Sequence, residues 1–88
     1  MNLLTYKGYY GSIETEDDMF FGEVLGLNDT FIPYEGSSMA EAKQDFRNEI
    51  DDYLKTCQDN HEKPELPDKP AVELAWRKKQ MISLDFFE

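Results

Sequence analysis

The sequence predicts an α+β domain in β-β-β-α order: a three-stranded antiparallel meander packed by one long amphipathic helix. Three observations carry this reading. Residues 3–36 are runs of aromatic and branched side chains separated by short polar turns. Residues 38–57 place apolar side chains at spacings of three and four, the period of one helix face. Pro64, Pro67 and Pro70 then interrupt any continuing helix.

Taken in order, residues 3–16 read as the first strand, with Gly8 and Gly11 suggesting a bulge or the close approach of a neighbour. Glu16-Asp17-Asp18 is a polar turn. Residues 19–27 form the second strand, Asn28-Asp29 the second turn, and residues 30–36 the third strand. Pro33 has no N–H for a ladder bond, so the third strand belongs at a sheet edge or contains a bulge. Turns this short join antiparallel neighbours. Ser38 followed by Glu41 is a capping-box signature, and Met39, Ala42, Phe46, Ile50, Tyr53, Leu54 and Cys57 make the buried stripe. At about 100° per residue, Glu41, Asp45, Glu49, Asp52 and Asp59 fall on a different, solvent-facing stripe. The chain divides into a domain over residues 1–62, a proline-rich linker over 63–70 and a tail over 71–88. Within the tail, residues 71–80 suit a short helix. Ile82, Leu84 and Phe86 alternate as in a strand.

A chain of 88 residues is one domain with a modest core, which self-association would help to stabilise. Its 14% aromatic content is too high for a wholly disordered acidic chain. The net charge of −10 is unevenly spread: residues 1–68 hold 16 acids against 5 bases, and residues 69–88 hold 3 against 4. Such a body repels nucleic-acid phosphates and attracts a basic protein. No apolar run approaches a membrane span and no signal peptide is expected, so the protein is read as cytoplasmic. A single cysteine, Cys57, rules out an internal disulfide framework and fits a reducing compartment.

Chemical sites find little support. Asp45, Glu49 and Asp52 share a helix face, yet metal ligands usually converge from several elements in a sheltered cleft. His61 lies in a hydrophilic stretch, away from the positioned setting a general base requires. Cys57 sits on the apolar stripe with no cation nearby to activate it. No glycine-rich phosphate loop separates a strand from a helix. The Arg77-Lys78-Lys79 cluster beside Trp76 is a weak nucleic-acid signal against so acidic a body. No catalytic residue, metal or cofactor is expected.

The segment from Tyr6 to Cys57 resembles the HicB family of antitoxins. The likeness runs through Tyr6-Lys7-Gly8-Tyr9, Phe21-Gly22-Glu23-Val24 with Gly26 and Asp29, and Glu35-Gly36-Ser37. It continues in Phe46, Asp51-Asp52-Tyr53-Leu54, Cys57 and Lys63-Pro64. The resemblance implies a partial RNase H-like fold and a partner: a small, basic, RNA-cleaving toxin of the HicA type, whose RNA-binding surface the antitoxin masks. Family members often carry a C-terminal DNA-binding domain. Here the 18 residues after Pro70 are too short for a helix-turn-helix, so direct DNA binding is not expected.

The expected function is therefore antitoxin-like masking of a basic RNA-cleaving protein. Glu41, Asp45, Glu49 and Asp52 are the candidate contact face, with Glu16, Asp17 and Asp18 as the alternative. Trp76, Ile82, Leu84, Phe86 and Phe87 are candidates for packing the tail against the sheet or between subunits of a homodimer or homotetramer. A stand-alone self-associating binding module and a metal-dependent nuclease of RNase H-like shape are the alternatives.

Overall fold

Two hairpins set the architecture, and in each the turn is two residues long. Lys7 (φ 50°) with Gly8 (φ 84°), and Asp17 (φ 52°) with Asp18 (φ 65°), hold left-handed backbone at both central positions. That conformation matches the twist of the strands it joins. In this computed structural model, which describes residues 3–75, the first turn joins β1 (Leu4–Tyr6) to β2 (Tyr9–Gly11). The second joins β3 (Glu14–Glu16) to β4 (Met19–Glu23), and β5 (Pro33–Gly36) lies against β4. All three pairings are antiparallel, with Tyr6 opposite Tyr9, Glu14 opposite Phe21, and Gly22 opposite Tyr34.

The fold is α+β, with the three-stranded meander β3-β4-β5 packed by α1 (Met39–Asp59). Residues 3–16, expected as one strand, instead reverse at Lys7-Gly8. The aromatic alternation runs across that turn and conceals it. Gly8 thus supplies a turn, and Gly11 the close approach. From Tyr9 to Glu16 the chain does keep a single register along residues 19–25, through the Gly11–Val24 bridge and the Leu25 N–H to Tyr10 carbonyl bond of 2.7 Å. β2 and β3 are parted only at Ser12 and Ile13.

At Ser12 the ladder is rewired. The Glu23 N–H donates to Ser12 Oγ at 3.2 Å, and the Ser12 carbonyl accepts from the Tyr34 hydroxyl. Tyr34 reaches there by passing beneath Gly11 and Gly22. A Cβ on Gly22 would strike the Ser12 carbonyl and the Tyr34 ring. Burial pushes the Tyr34 phenol well above its ordinary range and so keeps it a donor. Its ring meets Phe46 of α1 edge-on at 5.0 Å, which joins sheet to helix in a core of Tyr9, Val24, Ile32, Tyr34, Phe46 and Ile50.

Both ends of α1 are closed by local bonds. Ser38 Oγ accepts from the Glu41 N–H at 3.1 Å, and Glu41 accepts from the N–H and hydroxyl of Ser37 at 3.1 and 2.8 Å. At the other end His61 takes the left-handed conformation usually given to glycine (φ 57°). The Glu62 N–H then reaches the Cys57 carbonyl and the His61 N–H the Gln58 carbonyl. The lone histidine, expected as a solvated spacer, is exposed and also forms the helix stop. Ala42, Phe46, Ile50 and Cys57 are buried as their spacing predicts.

The proline-rich stretch 62–68 forms neither helix nor strand and is tied to the body of the domain by bonds such as the Asp68 N–H to Gly26 carbonyl bond of 3.2 Å. A short helix then occupies residues 69–75. Pro70 stands in its first turn, where its missing N–H costs nothing, and Val72 is buried beside Gly26. Trp76, Arg77, Lys78, Lys79, Ile82, Leu84, Phe86 and Phe87 lie outside the described residues.

Replacing Gly22 with alanine is expected to destabilise the fold by about 1–3 kcal/mol, since a backbone carbonyl must move to admit the methyl group. A lowered denaturant midpoint with an unchanged slope is the check.

Candidate acidic interface

The acidic stripe of α1 does not stand clear of the protein. α1 crosses the helix-facing side of the sheet near β5, an edge strand whose odd-numbered residues turn their backbone away from β4. Three devices close this edge. Pro33 has no N–H, the Asp45 carboxylate accepts the Glu35 N–H at 3.0 Å, and Glu41 accepts the Ser37 N–H. The expectation of an edge position for Pro33 holds, and two of the four predicted contact acids serve that edge. The Ser37 hydroxyl and amide hold the Glu41 carboxyl below the usual carboxylate range. Glu49 is half-buried and Asp52 is exposed.

Asp51, which is not among the expected contact acids, ties α1 to the first hairpin. Its carboxylate accepts from Lys7 Nζ at 2.8 Å and from the Tyr6 hydroxyl at 3.0 and 3.1 Å. These bonds, Lys7 foremost, lower the Asp51 carboxyl and raise the Lys7 ammonium. Both groups are about half exposed, so solvent screens the ion pair and it contributes little to stability.

A second carboxylate is held by backbone. Glu65 accepts from the N–H groups of Asn28 and Asp29 at 2.5 and 3.1 Å, chiefly the former lowering its carboxyl. Around it, the Tyr9 hydroxyl donates to the Glu65 carbonyl and the Glu65 N–H donates to the Tyr53 hydroxyl, both at 2.7 Å. Tyr9 and Tyr53 meet edge-on at 6.5 Å. Glu65 therefore belts the proline-rich segment to the β4–β5 loop.

The opposite side of the meander carries a further group of acids. Register places Glu14, Glu16, Met19, Phe21, Glu23, Pro33 and Glu35 on the face turned away from α1. Phe21, Phe31 and Pro33 line an open hollow there with Glu14, Glu23 and Glu35. Phe31 is 72% exposed and Phe21 beside it in the hollow is half-buried, so the apolar surface here is centred on Phe31. Between Lys7 and Lys43 the chain has eight Asp and Glu and no Lys, Arg or His. Glu16, Asp17 and Asp18, the alternative contact group, project from the hairpin tip at one end of this face. Glu14, Glu23 and Glu35 are not among the contact acids expected from the sequence, because which side a strand side chain takes depends on register.

Among the described residues no His, Cys, Asp and Glu side chains gather in threes as metal ligands, and no helix is long and apolar enough to cross a membrane. Comparison of the chain with protein-family models, curated proteins and solved structures gives no match.

Replacing Asp45 with alanine is expected to cost about 1 kcal/mol and to raise concentration-dependent light scattering, because the Glu35 N–H is left open on a strand edge. Asp52→Ala is expected to do neither. For Glu65 the folded-state carboxyl is lowered, so the unfolded chain takes up the proton first as pH falls. Its contribution is present above the ordinary carboxylate range and is lost on acidification through the folded value. The difference in melting temperature between wild type and Glu65→Gln should narrow from about pH 7 to about pH 3.

Proposed function

We propose that this chain is a non-enzymatic acidic binding module of antitoxin type, which covers the cationic RNA-binding surface of a small basic ribonuclease. The observation that carries the reading is the base-free stretch from Gly8 to Ala42, which builds a sheet face with carboxylates around the exposed Phe31 ring and the half-buried Phe21. Carboxylates stand in for RNA phosphates and speed encounter through complementary fields. Desolvated apolar contacts at the centre supply the residence time that charge alone does not. The resemblance of residues 6–57 to the HicB family supports the same assignment. In this reading the protein works in the cytoplasm beside its target, with Cys57 a buried free thiol, and self-associates through its tail as a dimer or tetramer.

The test is coexpression with the basic protein encoded in the adjacent reading frame. The two are expected to purify as one complex at low salt, and the chain is expected to suppress the RNA cleavage and growth arrest caused by that protein alone. Separate elution at low ionic strength with undiminished cleavage would remove the antitoxin assignment.

A further inference from the structure

We infer that the docking surface for the basic partner is the open face of β3-β4-β5, and that its occupant is a polypeptide segment whose apolar side chains are flanked by arginine or lysine. This deepens the function proposed above and rests on it. The argument begins with where carboxylates are already engaged. Glu41 and Asp45 hold edge amides, Asp51 holds Lys7 and Tyr6, and Glu65 holds the loop at residues 28–29. Recruiting them would break bonds that the fold uses. The opposite face asks for no such exchange at its centre, where the Phe31 ring is 72% exposed and Phe21 and Pro33 share its hollow; Asp45 reaches only the β5 rim and keeps its bond to the Glu35 N–H.

Charge selects the occupant. Glu23 and Glu35 flank the rings, Glu16, Asp17 and Asp18 extend the same field along the hairpin, and no cation lies within this part of the chain. A neutral apolar partner would leave these carboxylates stripped of water and without mates, and an acidic one would be repelled. A segment with a central apolar pair and basic flanks meets both demands: rings are covered, and each carboxylate gains a cation at the rim. Arginine fits best, because its planar fork can pair with a carboxylate and stack on an aromatic ring. A second copy of this acidic body is disfavoured on the same grounds.

The full chain, labelled with nitrogen-15, is titrated with a hexapeptide of Leu-Phe flanked by two arginines on each side, and with hexalysine as the control of equal length. Amide shifts are expected to concentrate on residues 14–23 and 31–35, with the Arg-flanked peptide binding more tightly than hexalysine. Phe31→Ser should weaken that binding about tenfold, and Asp52→Lys should change it less than about twofold. Because Phe31 is largely exposed, its replacement leaves the core intact. Shifts centred on residues 49–59, equal affinity for the two peptides, or indifference to Phe31→Ser would each overturn the assignment. So would absence of binding, the result expected if the chain's own Arg77-Lys78-Lys79 segment covers the face. The peptide is not the toxin, so a failed coexpression with mapped peptide binding would sink the antitoxin reading and leave this surface standing.

Discussion

A carbonyl turned into a protein interior must find a donor, and here the Ser12 carbonyl finds the Tyr34 hydroxyl. Much of the architecture follows from that requirement. The Tyr34 ring can reach Ser12 only because Gly11 and Gly22 leave room above it, and its other edge rests on Phe46. Phe46 in turn fixes where α1 crosses the sheet. One hydrogen bond therefore couples the rewired strand, the edge strand and the helix. Ser12 also remains in the ladder, since its hydroxyl replaces the carbonyl as acceptor for the Glu23 N–H.

The acids divide into two populations by what surrounds them. Those on α1 nearest β5 are internal mates for backbone donors, and together with Pro33 they deny that edge to another strand. Those on the far side of the meander face solvent around aromatic rings. Net charge alone does not distinguish the two. Both sets repel anions, but only the second surrounds an apolar centre that another chain could desolvate. A protein-binding role is thus a matter of arrangement, and the helix stripe, so conspicuous as a pattern, is partly spent on the fold.

What was legible in the sequence was whatever obeyed a local rule. Ser38 and Glu41 announce the helix start, the apolar spacing from Ala42 to Cys57 announces its buried side, and Pro33 announces an edge. What was hidden depends on partners distant in the chain. Lys7-Gly8 reverses the strand without the Asn or Asp usually found in such turns, and its aromatic neighbours look continuous across it. Glu65 meets amides nearly forty residues away, a contact for which no periodicity exists. Phe31 is exposed in the loop leading into β5, where no strand or helix period says which way a side chain turns.

The belt formed around Glu65 has a practical meaning for anyone shortening the chain. Cutting after residue 62 would spare β1 to β5 and the whole of α1, yet would strip Tyr9 of its acceptor and Tyr53 of its Glu65 donor and uncover Asn28 and Asp29. Val72, seated beside Gly26, would go as well. The smallest autonomous unit thus reaches past the last proline, and a fragment trimmed at the end of its long helix would be an incomplete object.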